Sequence, residues 1–102
     1  MADVQITYWR DIPSLVTAQE GRRNRHRVEL SARFQVAIDE AAMRLGFVGT
    51  DAYLQQWRKG DWQQQEGDPV SVAEAVAAEI ERDYPPARLR ELLAALTPAS
   101  SD

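Results

Sequence analysis

The densest chemistry in this sequence lies in one stretch. Gly21-Arg22-Arg23-Asn24-Arg25-His26-Arg27 gathers four guanidinium groups and the chain's single imidazole within seven residues. A guanidinium presents planar, paired donors that match a carboxylate or a phosphate. The stretch therefore suits the grip of an anion or of an acidic partner surface; the plainer alternative is a solvated connector whose arginines pair with the chain's own acids. A second concentration, Tyr8-Trp9-Arg10-Asp11, places two aromatics, a cation and an anion at the end of an alternating segment. Such residues dominate binding hot spots, although Tyr8 could equally belong to the core, with Trp9 covering the sheet and Arg10 paired to Asp11. Tyr53, Leu54 and Trp57 read first as anchors that dock a short helix. Trp62, in a glutamine-rich stretch, has less structural reason to be there.

Catalysis finds little support. A nucleophile needs an adjacent base and a group that orients it, and the only histidine, His26, sits among arginines. There are no cysteines, which excludes disulfides, thiolate zinc sites and iron–sulfur ligation. No carboxylate cluster stands beside His26 at helical spacing, so no metal site is expected. Asp39 and Glu40 are adjacent on a helix, where neighbours diverge by about 100°, and solvent-facing acids explain them better than a catalytic pair. Phosphate-loop and dinucleotide glycine patterns are absent. No catalytic residue, metal or cofactor is expected.

These groups must be held by a small scaffold. At 102 residues, 44% hydrophobic and 27% charged, the chain has the composition of one folded domain rather than a disordered one. The net charge of −4 argues against a dedicated nucleic-acid binder, which needs a basic surface. The N-terminus lacks the basic-then-apolar pattern of a signal peptide, and no apolar run approaches the roughly 20 residues that cross a bilayer, so a cytoplasmic location is expected.

Residues 4–10 alternate, with Val4, Ile6 and Tyr8 on one face and Gln5, Thr7 and Trp9 on the other, which is strand spacing. Pro13 breaks that strand, and residues 14–20 form its hairpin partner. Leu30, Phe34, Ile38, Ala41 and Leu45 make a helical stripe, capped by Ser31 and stopped near Gly46. A second helix is predicted over residues 51–59, capped by Thr50 or Asp51, and a short third strand over residues 61–66. Ser71 and Glu74 have capping-box spacing ahead of Val72, Val76 and Ile80. Pro85 and Pro86 end that helix, and Leu89, Leu92, Leu93 and Leu96 make the last one amphipathic. The expectation is an α+β fold: a small antiparallel sheet of two or three strands with about four helices packed on one face. Residues 1–96 form the domain and residues 97–102 a frayed tail.

Several spaced strings together resemble a known family: Thr7-Tyr8-Trp9-Arg10-Asp11-Ile12-Pro13, Gly21-Arg22, Arg33-Phe34 with Ala37-Ile38-Asp39 and Ala41-Ala42-Met43, Gly49-Thr50-Asp51-Ala52-Tyr53-Leu54, and Trp57-Arg58. They are similar to the small bacterial "virulence factor" family, which looks like the C-terminal module of conserved virulence factor C. The resemblance covers about residues 4–60. It carries no catalytic residues; it implies an accessory role beside folate-linked or corrinoid-linked one-carbon metabolism. The resulting expectation is a non-catalytic adaptor that docks on a larger cytoplasmic protein or enzyme through Tyr8, Trp9, Arg10, Asp11, Arg22, Arg23, Arg33, Asp51, Tyr53 and Trp57. The alternatives are a protein or small enzyme that binds an anionic, folate-like or phosphorylated metabolite through the same residues, and a homodimer joined at open sheet edges.

Overall fold

A computed structural model describes residues 1–22, 24–47 and 51–96. In chain order the elements are β1 (Ala2–Trp9), β2 (Ile12–Glu20), β3 (Asn24–Glu29), α1 (Ala32–Leu45), α2 (Asp51–Gln55), β4 (Trp57–Lys59), β5 (Gln63–Gln65), α3 (Pro69–Asp83) and α4 (Pro86–Ala94). The strands form one antiparallel sheet ordered β3-β2-β1-β4, with β5 pairing β1 beside β4. The class is α+β, but the sheet has five strands rather than two or three. The difference has two sources. The arginine-rich segment is itself a strand, β3, and the helix expected over residues 51–59 stops at Gln55, after which Trp57–Lys59 pairs with β1. β1 ends at Trp9, close to the expected break at residues 11–13, but Ile12 and Pro13 already belong to β2, where Pro13 packs in the core.

α3 lies against β1, β2 and β3, and α1 reaches β2 and packs against α4. Val4, Ile6 and Tyr8 share a groove with Val76 and Glu79 of α3, which identifies the face that α3 covers. The core joins Val4, Val16 and Ala18 of the sheet to Phe34 and Ile38 of α1, Val72, Val76 and Ile80 of α3, and Leu89 of α4. Burying side chains such as Phe34 or Ile38 stabilises the fold by about 2 kcal/mol each.

The register of β1 and β2 shifts between Thr7 and Tyr8, so that Thr7 opposes Leu15 while Tyr8 opposes Pro13 and Ser14 is the extra residue. Strict alternation would leave Trp9 on the face away from Val4. Trp9 is nonetheless fully buried, and with Ile12 it borders Ala41 of α1, Leu92 of α4 and Leu96 just beyond it.

Two helix starts differ from expectation. Ser31 occupies the N-cap of α1 but makes no side-chain cap bond; its hydroxyl donates to Glu81 of α3 at 2.8 Å, and its amide donates to the same carboxylate at 2.6 Å. α3 begins earlier than the Ser71–Glu74 spacing suggests, with Pro69 in its first turn and Asp68 as the cap, accepting from the Ser71 amide at 3.1 Å. That backbone donor, followed by the Ser71 side chain, holds the Asp68 carboxyl below its ordinary value of 3.8. Because the folded state depresses this pKa, the cap's stabilisation is present above the unfolded value and is lost as pH falls through the folded one. Asp68→Ala should therefore lower the urea midpoint at neutral pH, with the gap between variant and wild type closing below about pH 4. A gap that persists undiminished at pH 2 would mean the carboxylate is not the stabilising group.

The expected tail at residues 97–102, Arg23 and the capping position Thr50 lie outside the described residues.

Candidate functional site

The β1–β2 turn collects most of the residues singled out from the sequence. Trp9 donates its indole N–H to the Tyr53 carbonyl at 2.9 Å, and its ring lies 5.5 Å from that of Tyr53, which meets Trp57 edge-on at 6.3 Å. These three aromatics dock α2 and β4 onto the sheet, and that packing consumes Trp9 completely. Arg10 has φ 54, a left-handed conformation uncommon for a residue with a side chain. A two-residue turn that is left-handed at its first central position normally takes glycine there. Arg10 is held in place from both sides: its amide donates to the Gln56 carbonyl at 3.0 Å, its guanidinium donates to Gln56 Oε1 at 3.2 Å, and its carbonyl accepts from Arg58 Nε at 2.9 Å. Its buried Nε has no hydrogen-bond partner among the described residues. Asp11 is exposed, 3.9 Å from the Arg58 guanidinium.

Tyr8 is half-buried, with Arg58 stacked 4.4 Å from its ring centroid. Burial first, and the neighbouring Tyr84 second, push its phenol above the ordinary value of 10.0, against the pull of Arg58. Arg33 is elsewhere, joining α1 to the end of α3: it pairs with Glu81 at 2.9 Å and donates to the carbonyls of Glu81 and Tyr84 at 2.8 and 3.1 Å. Asp51 is exposed at the first residue of α2. Arg22 is exposed in the β2–β3 turn. That turn is at the opposite end of β2 from Arg10, about 27 Å away at roughly 3.3 Å per residue, so Arg10 and Arg22 cannot hold one ligand together.

A different arrangement emerges on the sheet face away from α3. Registers place side chains there in rows: Glu29, Leu15, Thr7 and Lys59; then Arg27, Thr17 and Gln5; then Arg25, Gln19, Asp3 and Gln64. A depression on this face is lined by strand residues and Trp62. Its floor is Thr17, 7% exposed, while Trp62 at its rim is 42% exposed. Arg25 donates to Gln19 at 2.8 Å, and no ion pair is made by Arg25, Arg27 or Lys59 among the described residues. Strand residues an even number apart share a face; that spacing at Arg25 and Arg27 was the available signal, masked by the charge of the whole segment.

A family model described as "Virulence factor" matches residues 7–93. The chain belongs to the virulence-factor family. No curated protein and no solved structure matches it. The family match reaches beyond residues 4–60, taking in β5, α3 and most of α4, so the helix that backs the sheet is part of the virulence-factor domain. No cluster of three or more potential metal ligands occurs among its described residues, and no described helix is long and apolar enough to cross a membrane.

Proposed function

We propose that this virulence-factor domain is a non-catalytic binding module that presents the open face of its sheet to an acidic protein surface. The observation that supports this reading is the set of cations without ion-pair partners among the described residues, Arg25, Arg27 and Lys59, arrayed with the exposed Trp62 around Thr17. Arginine forks match discrete carboxylates. Asp3 and Glu29 on the same face interrupt any continuous basic track of the kind a phosphate polymer requires. A small anionic metabolite fits less well, because such ligands bury most of their surface in a concave, mainly apolar pocket and this depression is lined mainly by polar and charged strand residues.

The test is a triple variant, Arg27→Ala, Lys59→Ala and Trp62→Ala, titrated with polyglutamate beside wild type. A control variant carries Arg82→Ala and Arg90→Ala, which remove exposed helical cations. The triple variant should bind at least ~10-fold more weakly, with the contrast shrinking at high salt, while the control binds as wild type does. Equal affinity in all three would sink the reading, as would tighter binding of a single-stranded oligonucleotide than of polyglutamate. Capture from the native cell then tests the one-carbon setting: a folate- or corrinoid-dependent enzyme retained by wild type and lost by the triple variant is the expected result.

A further inference from the structure

The open face ends at β3, which among the described residues pairs only with β2 and is an edge strand. Its ladder fixes which backbone groups are spent. The Leu30 amide donates to the Ser14 carbonyl at 3.2 Å, in line with the register that sets Leu15 opposite Glu29 and Val16 opposite Val28. In an antiparallel pair, hydrogen-bonded and non-hydrogen-bonded positions alternate. With Leu30 bonded, Val28, His26 and Asn24 also bond to β2. The N–H and C=O groups of Arg25, Arg27 and Glu29 consequently point outward from the sheet. The same residues carry their side chains on the open face.

We propose that β3 accepts an extended acidic segment of a partner protein as an added strand of the sheet, with alternate carboxylates of that segment over Arg25 and Arg27. The proposal rests on the open-face reading and gives it a geometry. Main-chain bonds supply affinity in such strand addition, and alternate side chains supply specificity. Side chains of the incoming strand at the intervening positions fall on the α3 side, beside the half-buried His26 and Val28. The preferred sequence therefore alternates an acid with an apolar or β-branched residue. A second copy of this chain is a competing occupant: the antiparallel register centred on His26 opposes Arg25 to Arg27 twice, whereas the one centred on Arg27 opposes Arg27 to itself but sets Arg25 against Glu29, and an acidic segment avoids every arginine–arginine contact.

The probe is an end-capped octapeptide, Glu-Val-Glu-Thr-Glu-Val-Glu-Thr, with its lysine-for-glutamate counterpart as control. Wild type should bind the acidic peptide saturably and the basic one at least ~10-fold more weakly. Arg27→Ala and Arg27→Pro both remove the charge, but only proline removes the outward amide, and an edge strand tolerates proline at such a position. The proline variant should bind several-fold more weakly than the alanine variant. Hydrogen exchange on wild type tests the same point without mutation: the amides of Arg25, Arg27 and Glu29 should slow when the peptide binds. Binding with no slowing would overturn strand addition while leaving the open-face reading intact. Failure of both the peptide and polyglutamate to bind would remove both. A dimer in light scattering that Arg27→Pro dissolves would replace the acidic segment with a second copy.

Discussion

Trp9→Ala should destabilise the domain by about 4 kcal/mol, the range found when a large buried aromatic is truncated. The indole has no solvent exposure, donates to the Tyr53 carbonyl at 2.9 Å and stacks on a ring 5.5 Å away. Its removal would open a cavity between the β1–β2 hairpin, α1, α2 and α4 and release the docking of α2 and β4. A domain of this size has roughly 5–15 kcal/mol in total, so the alanine variant should lose a large share of its stability and show a sharply lower urea midpoint. Trp9→Phe keeps most of the ring and should lose about half as much, since the Tyr53 carbonyl still accepts the Gln56 amide at 3.3 Å. An alanine variant within about 1 kcal/mol of wild type would contradict this packing. The same result bears on function: a binding defect in Trp9 variants would report unfolding, which is why the interaction tests use the sheet face.

The second large effect belongs to Arg33→Ala, with an expected cost of about 2 kcal/mol. Its guanidinium meets the Glu81 carboxylate, the carbonyls of Glu81 and Tyr84, and the Ser31 hydroxyl, and it lies 4.9 Å from the Phe34 ring centroid. Glu81 in turn accepts the amide that begins α1. Truncation therefore loosens the start of one helix and the end of another together. Arg33→Lys should recover only part of the loss, because one ammonium cannot reproduce the fork. Thermal melts distinguish the cases: full recovery by lysine would reduce the contact to simple charge pairing.

Much of this framework was legible in the residues, and the exceptions have physical causes. The stripe from Phe34 to Leu45 with Gly46 behind it defined α1, and the Pro85-Pro86 pair correctly divided α3 from α4. β3 was hidden because an edge strand with one open face needs few apolar residues: of Asn24, His26 and Val28 on the core side, only Val28 is apolar, and none is fully buried. β4 was hidden because three residues are too few to show a period, and Trp57 continued the spacing set by Tyr53 and Leu54. The burial of Trp9 comes from Ala41, Tyr53, Leu92 and Leu96, residues distant in sequence, which no alternation pattern within β1 could register. For the site, residue types were informative but their distribution was not. Arg10 and Arg22 were grouped by chemistry and are separated by the length of β2, whereas Arg27 is far in sequence from Lys59 and Trp62 and meets them at one depression.

The sheet has two unlike borders. On one side runs an unbroken six-residue strand bearing guanidinium groups; on the other, β4 and β5 offer three residues each, interrupted by the segment containing Gly60, Asp61 and Trp62. An approaching chain finds a continuous template on the first side and only fragments on the second. The proposed added strand would therefore extend the sheet at the β3 border, where the six-residue ladder is continuous, rather than at the divided border of β4 and β5.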